Sequence, residues 1–348
     1  MNLHQIITII IVSLLLFSNC KQKESYISIN SNLSELKTQR FEYGQVFDLR
    51  FGAVNYTVDS FVLLVNGQKY RTDKLTLDKS NVNYGVNSLK VTYYYDNGKS
   101  MDEYGQINVL SSKQETAITY NVQKTWYHNP KSFTQGLYYE NGVLFESSGN
   151  YNASFIAKYP LGSKTYTTQT KTDNQYFAEG IARLGDKIYQ LTWKERTILI
   201  YDASTLELQG QMTIPSSVKE GWGICTDGQY LFMTDGTQYL YKTAIVDNQV
   251  RILDAKQIVG YQNLYARLNE LEYIDGFIYA NVWGQPTILK INPNEGIVEG
   301  ILDLSALATD YPTEDVLNGI AYIDYQTLLV TGKYWDKMYQ IGIEKPLQ

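Results

Sequence analysis

The stretch FAEGIARLGDKIYQLTW, from Phe177 to Trp193, decides the fold. It holds two apolar segments, GIARL and KIYQLTW, and the Gly-Asp pair between them is a turn signal, so the stretch predicts a β-hairpin. Glu179 stands where the first strand begins. An unpaired charge at the buried start of a strand costs free energy. The position of this carboxylate therefore needs a reason other than folding.

The same pattern occurs five times, at a spacing of roughly 43 to 48 residues. Each copy has a polar residue or Trp, an apolar strand, a two-residue turn and a second apolar strand, and further strand segments follow. The copies are QGLYYENGVLFESSG at 135–149, EGIARLGDKIYQLTW at 179–193, WGICTDGQYLFMTDG at 222–236, NELEYIDGFIYANVW at 269–283 and NGIAYIDYQTLLVTG at 318–332. Four strands per unit at this period are typical of a propeller blade, so the sequence predicts a five-bladed β-propeller.

A strand outside the repeats is expected to close the ring. The segment AITYNVQKTWYH precedes the first repeat, and the last repeat ends after KMYQIGIE. If the earlier segment adds the outer strand to the last unit, no blade keeps an open edge. The predicted propeller, which would be the catalytic domain, spans residues 116–348.

Residues 21–115 follow a different pattern. Short strands with period-two alternation, such as QVFDLRF and SLKVTYYYDNG, are separated by Asn, Gly and Asp turn signals. This pattern predicts a small immunoglobulin-like β-sandwich, most simply a spacer or docking module. The whole chain is thus predicted to be all-β, in agreement with its 31 tyrosines, a residue type that favours strands.

The N-terminus has the pattern of an export signal. A continuous apolar run extends from Ile6 to Phe17 and is followed by Cys20. The run has the length of a signal-peptide core, and the placement of the Cys resembles a bacterial lipoprotein cleavage site. We expect residues 1–20 to be a lipoprotein signal peptide, Cys20 to carry the lipid, and the protein to be exported and membrane-anchored. An uncleaved anchor and a plain secretory signal are the alternatives.

Charge and composition exclude several functions. A net charge of −6 and a pI near 5.1 argue against a nucleic-acid partner. After removal of the signal peptide only His128 remains, so a zinc site with two or more His ligands is excluded. A nucleophile elbow and a phosphate-binding Gly-rich loop are also absent from the sequence. Cys225 is expected to be a small buried hydrophobe.

Polar or aromatic residues recur where the innermost strands begin: Gln135, Glu179, Trp222, Asn269 and Asn318. In a propeller these positions face one mouth of the central channel. A few polar groups among apolar walls are what a small-molecule pocket needs. The alternative is that they satisfy strand-end backbone groups or hold water along the axis, and repetition alone leaves both possibilities open.

Several ordered motifs carry a resemblance. FTQGL, FAEGIARL, LTW, EGWGICTDG, LNELEYIDGFIYANVW and LNGIAY together resemble the plant and bacterial glutaminyl-peptide cyclotransferase family, from about residue 119 to the C-terminus. That resemblance implies a five-bladed propeller and an aminoacyltransferase, which converts the N-terminal glutamine of peptides or proteins to pyroglutamate and releases ammonia. It also implies a monomer without a required cofactor or catalytic metal. A structural cation in the central channel stays open.

The chemistry of this reaction fits the residues at the predicted mouth. One carboxyl, Glu179, can take a proton from the α-amine and deliver one to the leaving ammonia. An aromatic pocket would raise the pKa of that carboxyl by desolvation. By resemblance, Asn269 and Gln135 bind the amide, and Lys333 polarises a carbonyl oxygen. The resemblance further implies that the substrate pocket is lined by Phe133, Gln135, Phe177, Trp193, Trp222 and Trp283.

Other interpretations remain at this point. A metal-dependent propeller lactonase would use Glu179, Asn269 and Asn318 as ligands, and a non-catalytic propeller would serve as a binding module. The tryptophans would then pack between blades, and Lys333 would be a solvated turn residue. Metal dependence separates the first alternative from the cyclotransferase, and an absence of turnover would favour the second.

Overall fold

A computed structural model describes residues 28–343 and confirms the all-β prediction. The two helices of this part of the chain have four residues each, α1 (Leu33–Leu36) and α2 (Ser305–Ala308). Neither is long and apolar enough to cross a membrane. The predicted signal peptide and the lipidation site Cys20 lie outside the described residues.

The N-terminal region forms one five-stranded sheet and two small two-stranded sheets. Its strands are β1 (Ser28–Ser31), β2 (Arg40–Phe41), β3 (Val46–Asp48), β4 (Phe51–Val54), β5 (Val58–Val65), β6 (Gln68–Tyr70), β7 (Lys74–Thr76), β8 (Gly85–Tyr95) and β9 (Lys99–Val109). The larger sheet has the order β2-β9-β8-β5-β6, and β1 pairs with β4 as β3 does with β7. The region has a hydrophobic core of its own, which includes Phe41, Phe47 and Tyr93, each at most 1% exposed.

The rest of the described chain forms five antiparallel sheets, called sheets 1 to 5 below. Two strands precede them, β10 (Thr116–Ile118) and β11 (Tyr120–Tyr127). Sheet 1 contains β12 (Thr134–Glu140), β13 (Val143–Ser148), β14 (Phe155–Pro160) and β15 (Thr168–Lys171); sheet 2 contains β16 (Ala178–Leu184), β17 (Lys187–Thr192), β18 (Thr197–Asp202) and β19 (Leu208–Thr213). Sheet 3 contains β20 (Ile224–Thr226), β21 (Leu231–Thr234), β22 (Tyr239–Val246) and β23 (Gln249–Gln257). Sheet 4 contains β24 (Leu268–Ile274), β25 (Phe277–Val282), β26 (Thr287–Asn292) and β27 (Ile297–Asp303), and sheet 5 contains β28 (Leu317–Asp324), β29 (Thr327–Gly332) and β30 (Lys337–Ile343).

The first strands of the five sheets contact one another in a closed cycle, from β12 through β16, β20, β24 and β28 back to β12. Glycines permit this close approach. A Cβ added to Gly136 would lie 2.5 Å from the Ile181 nitrogen, and one added to Gly223 would lie 1.7 Å from the Asn269 carbonyl oxygen. Real Cβ atoms cannot come so near to backbone, so the repeated Gly at the strand start is a packing requirement.

The predicted closing strand is confirmed. β11 pairs antiparallel with β30 and completes sheet 5 as its fourth strand. The Trp126 indole donates a hydrogen bond to Gln340 Oε1 at 3.1 Å across this pair. β10 adds a parallel edge strand to β27 of sheet 4. Residues that precede the repeats therefore cover the outer edges of the last two sheets.

The N-terminal region packs against sheets 3 and 4. The Gln257 side chain accepts a hydrogen bond from the Val86 nitrogen at 2.9 Å and donates one to the Val86 oxygen at 3.0 Å. A cleft of about 500 Å³ lies beside this contact. Lys79 and Glu295 form an ion pair across it at 2.5 Å. These two charges of the cleft are therefore paired with each other.

Candidate active site

Four of the five first strands have a register irregularity near their start. These irregularities fall at Gln135, at Glu179 and Gly180, at Asn269 and Glu270, and at Asn318 and Gly319. Bulges of this kind re-aim a side chain at the edge of a sheet and are frequent beside active sites. The repeated polar positions of the sequence are thus the bulged ones.

A cavity of about 430 Å³ lies at this end of the sheets. Its walls contain every residue that the sequence assigned to catalysis or substrate binding: Phe133, Gln135, Phe177, Glu179, Trp193, Trp222, Asn269, Trp283 and Lys333. Asn318 is not among the lining residues. The structure therefore brings the nine predicted residues together, while their individual roles stay predictions.

Aromatic rings form most of the wall. Phe177 is edge-to-face with Trp193 at 5.5 Å between ring centroids and with Phe133 at 6.0 Å. Trp222 and Trp283 are arranged in the same way at 6.4 Å. Trp283 is 41% exposed, which does not fit a residue that only packs between sheets. The tryptophans enclose an apolar space that is open to solvent on one side.

Glu179 is buried at the base of this space, with 5% of its surface exposed. Burial raises the pKa of its carboxyl well above the usual value, Lys333 acts in the opposite direction, and the charges of Glu220 and Glu195 raise it further. The carboxyl receives no hydrogen bond from the other residues between 28 and 343 that would stabilise its charged form. A carboxyl whose pKa is raised by burial keeps its proton to a higher pH than an exposed carboxyl does, and it can deliver that proton to a nearby base.

Lys333 is 3% exposed, so it is not a solvated turn residue. Burial lowers the pKa of its amine to about 8, and the neighbouring Glu179 opposes that shift. Its Nζ lies 4.6 Å from the centre of the Phe133 ring, in a cation–π contact. Its backbone nitrogen donates to the Val316 oxygen at 3.0 Å. The amine is thereby held inside the cavity, opposite the carboxyl.

Two amide side chains offer hydrogen bonds to a ligand. Oδ1 of Asn269 is buried and accepts no hydrogen bond from the described part of the chain. Oε1 of Gln135 accepts a hydrogen bond from Nδ2 of Asn318 at 3.1 Å, which leaves Nε2 as the group that Gln135 can donate. Asn318 also donates to the Thr134 oxygen at 2.8 Å. It lies behind the wall and orients Gln135.

The sequence did not indicate the role of Glu220. This residue accepts hydrogen bonds from the indoles of both Trp193 and Trp222. The only sequence signal was its place in EGW, two residues before Trp222. Glu195 was missed as well; its Oε1 accepts from the Tyr151 hydroxyl at 2.7 Å. The contacts of Glu220 with Trp193 and of Glu195 with Tyr151 join residues 27 and 44 positions apart, so local patterns do not reveal them.

A second buried cluster lies in sheet 1. His128 Nε2 is 3.1 Å from Oε1 of Glu146, and both side chains are fully buried. Ser132 also donates a hydrogen bond to Oε1 of Glu146, and His128 Nδ1 lies 2.6 Å from the Trp335 carbonyl oxygen. Serine and histidine therefore share one carboxylate and are closed off from any substrate. The cluster is a structural network and not a nucleophilic triad.

The lactonase alternative predicts a metal site at Glu179, Asn269 and Asn318. Within residues 28–343, no three His, Cys, Asp or Glu side chains come close enough to hold one ion. The lactonase set would use Oδ1 of Asn318, which accepts no hydrogen bond from the described residues, while Nδ2 of the same amide donates to Gln135 and Thr134. The cavity also contains the Lys333 amine, whose positive charge would repel a divalent cation held by Glu179. The amine therefore disfavours a divalent metal at Glu179, and metal independence stays a prediction.

Comparison with known proteins agrees with this geometry. A sequence model of the glutamine cyclotransferase family matches residues 98–343. The chain belongs to that family. It is similar to a glutaminyl-peptide cyclotransferase of Arabidopsis thaliana, at 41% identity over 226 residues, which are 63% of this chain and 69% of the plant protein. It is also similar to the crystal structure of Myxococcus xanthus glutaminyl cyclase, with a TM-score of 0.61 and 28% identity over 68% of this chain and 100% of the other.

Proposed function

We propose that this protein is a glutaminyl-peptide cyclotransferase and that its nine cavity residues perform the reaction. It converts the N-terminal glutamine of a peptide or protein to pyroglutamate and releases ammonia. Membership of the family supports the activity. The observation that carries the mechanism is the buried carboxyl of Glu179 beside the buried amine of Lys333, in a cavity with aromatic walls.

Binding places the substrate amine against its own side chain. The volume of about 430 Å³ is in the range of small-molecule sites and takes the terminal residue with its peptide bond. The rings of Trp193 and Trp222 enclose the methylene groups. The free acceptor of Asn269 and the free donor of Gln135 then hold amide groups of the substrate. Because binding folds the chain back in this way, the entropy of bringing the amine to the amide carbon is lost during binding and not in the reaction step.

The reaction itself moves protons and exchanges one bond for another. The neutral α-amine attacks the δ-carbon of the side-chain amide, and a C–N bond forms as the carbonyl becomes an oxyanion. Glu179 delivers its proton to the amide nitrogen and takes one from the attacking nitrogen. Ammonia then leaves as the C–N bond to it breaks, and the carbonyl forms again. Glu179 ends in its starting state, which is general acid–base catalysis.

Lys333 is placed to stabilise the oxyanion. Its pKa near 8 leaves the amine mostly protonated at neutral pH. A cation in an apolar, water-poor cavity interacts with developing charge more strongly than it does in water. Its flexible four-carbon stem presents the donor without adding a bulky group to the pocket. We therefore assign Lys333 to the carbonyl oxygen and Glu179 to the nitrogen atoms.

We also propose that sheets 1 to 5 are the blades of a five-bladed propeller. The closed cycle of first strands and the completion of sheet 5 by β11 support this architecture. Residues 21–115 would be the immunoglobulin-like module and residues 116–348 the catalytic domain. A chain that begins at Thr116 should fold and keep its activity. An insoluble product would place the first module in the core of the propeller.

The direct test of function is ammonia release from a glutamine-initiated dipeptide by the purified full-length protein. We expect turnover that survives a strong divalent-metal chelator, since the proposed chemistry needs no metal. Loss of turnover on chelation and its return with added metal would favour the lactonase mechanism. A structural cation in the channel would instead appear as a lower melting temperature after chelation, with the chemistry unchanged in the molecules that remain folded.

We further propose that the protein is a monomeric, exported lipoprotein, attached to a membrane through Cys20. This proposal depends on the position of that Cys after the apolar run. The variant Cys20→Ser should move the protein from the membrane fraction to the soluble fraction. Acylation of the variant, or its retention in the membrane, would contradict the proposal.

A further inference from the structure

The carboxylate of Glu220 joins two walls of the cavity. Its Oε2 accepts a hydrogen bond from Nε1 of Trp193 at 2.6 Å and another from Nε1 of Trp222 at 2.8 Å. Trp193 follows the second strand of sheet 2, and Trp222 precedes the first strand of sheet 3. A single oxygen atom thus fixes two indoles from adjacent sheets relative to each other. Hydrogen bonds to an ionised acceptor are the stronger kind.

We propose that Glu220 is a positioning residue of the cyclisation, which locks the angle between these two indoles and so keeps the glutaminyl side chain folded against its amine. This inference rests on the proposed function. Glu220 does not line the cavity, so it acts through the tryptophans and not on the substrate. The mechanism needs such a lock because reactivity depends on orientation, and a displacement of about 1 Å lowers the rate on the order of 10²-fold.

Other contacts of the indoles show why this bond decides their position. The Trp222 backbone is fixed, because its nitrogen donates to the Thr234 oxygen and its oxygen accepts from Gly180, next to Glu179. One side of the ring lies against Gly236, where an added Cβ would come within 2.6 Å of it. The bond to Glu220 holds the nitrogen edge of the ring and so restricts the side-chain torsions further. Trp193 in turn contacts Phe177, so a shift would spread along the wall.

Glu220 has a second effect, through its charge. The groups that act on the Glu179 carboxyl are Lys333, which lowers its pKa, and Glu220 and Glu195, which raise it. The Tyr151 hydroxyl lies near the same three carboxylates. Removing the charge of Glu220 should therefore lower the pKa of Glu179. The positioning role and the charge effect of Glu220 predict different changes in kcat and in the pH profile. Two conservative variants of Glu220 separate them.

The first variant, Glu220→Asp, keeps the charge but withdraws the oxygen by one methylene, so it cannot reach both indoles. We expect kcat/KM to fall by roughly 10- to 100-fold, mostly in kcat, with little change in the pH profile. The second, Glu220→Gln, keeps an acceptor oxygen and removes the charge. We expect it to keep most of kcat and to move the Glu179-dependent part of the pH profile to lower pH.

Glu195→Gln is the matched control. Glu195 also raises the pKa of Glu179, but its oxygens bond the Tyr151 hydroxyl and the Phe177 nitrogen instead of an indole. It should reproduce the pH shift of Glu220→Gln. A double-mutant cycle completes the test: in a Trp193→Phe, Trp222→Phe background no indole N–H remains, so Glu220→Asp should cause little further loss.

The outcomes separate this inference from the proposed function. A parent protein that releases no ammonia overturns the function. A parent that is active, with a Glu220→Asp variant of unchanged kcat/KM, overturns the positioning role alone. Full additivity in the double-mutant cycle overturns it as well, because the effect would then not pass through the indoles. If Glu220→Asp is too unstable to assay, Glu220→Ala replaces it in the same cycle: a loss of kcat/KM in the parent that disappears in the Trp193→Phe, Trp222→Phe background supports the role, and an unchanged kcat/KM in the parent overturns it.

Discussion

Two buried glutamates in adjacent sheets, Glu146 and Glu179, have pKa values that shift in opposite directions. Burial raises the pKa of both carboxyls. For Glu146 this effect is outweighed by His128 and by hydrogen bonds from Ser132 and Tyr159, so its pKa is lowered. Glu179 has no such donors, and its pKa is raised well above the usual value. Burial sets the cost of the charge, and the number of donors decides whether the charge is kept.

The difference separates a structural carboxylate from a reactive one. Glu146 is surrounded by groups that depend on its charge, which makes it a fixed part of sheet 1. Glu179 lacks such partners, so its environment favours the protonated form, and this proton is the one that it can deliver to a substrate. When the substrate binds, its amine comes next to this carboxyl and can exchange a proton with it. The following four predictions test this contrast, beginning with the largest effect.

Glu179→Gln keeps the size of the side chain but removes the titratable proton. Turnover of a glutamine-initiated dipeptide should fall by on the order of 10²–10⁴-fold. Because the folded-state pKa of Glu179 lies above its ordinary value of 4.5, this residue lowers stability as pH rises through that value. The variant should therefore be at least as stable as the parent at pH 7 in urea. Near-normal cyclisation by the folded variant would remove Glu179 from the mechanism.

Glu146→Gln should act on stability instead. Glutamine keeps one acceptor oxygen, but it removes the charge that pairs with His128 and replaces the other oxygen by an NH2 group that cannot accept from the hydroxyl donors. Breaking such a buried pair costs about 3–5 kcal/mol. Urea unfolding measures the loss. Glu270→Gln is the control: the pKa of Glu270 is raised by burial, and its oxygens accept only backbone hydrogens from Leu137 and Ile320. If Glu270→Gln lowered the free energy of unfolding as much as Glu146→Gln does, the donors around Glu146 would not explain its effect on stability.

Lys333→Met should lower kcat by on the order of 10²–10³-fold, the usual effect of losing one oxyanion donor. Lys333→Arg keeps a positive charge at every accessible pH. The parent should lose activity as pH rises through about 8, where Lys333 deprotonates. In Lys333→Arg that alkaline decrease should disappear or move to higher pH, whatever the absolute rate. If Lys333→Arg shows the same alkaline decrease in activity as the parent, a group other than Lys333 causes that decrease.

Tyr159→Phe removes one donor, at 2.7 Å, from Glu146. The expected loss is about 1.5–3 kcal/mol at neutral pH, as for other hydrogen bonds to charged groups. The stability that Glu146 contributes is present above its unfolded pKa and is lost as pH falls through the lowered folded value. With one donor fewer, that folded pKa rises and the variant should unfold at a higher pH on acidification. An identical acid transition would show that Tyr159 does not stabilise the charge.

The contrast between Glu146 and Glu179 also shows which features of the fold and of the site can be predicted from the sequence. The repeat of polar strand starts predicted the sheets and the positions of Gln135, Glu179 and Asn269, because period and residue type are local properties. The family resemblance supplied Phe133, Trp283 and Lys333. Glu146 gave no signal, since FESS reads as one more strand, and its partner His128 comes from a segment before the repeats. Glu220 was placed only as a neighbour of Trp222. Contacts between distant segments, and the bulges that aim Gln135 and Asn269, depend on the assembled sheets and cannot be read from local patterns.

The pairing of β11 with β30 has a consequence for synthesis. Trp126 and Gln340, which are hydrogen-bonded across this pair, are 214 residues apart in sequence. A nascent chain must therefore hold β11 with an unpaired edge until nearly all of the sheets have been translated, and contacts of such long range slow folding. During that interval the edge is open to other chains. A chaperone that shields β11 would protect this protein more than one that acts on any later strand.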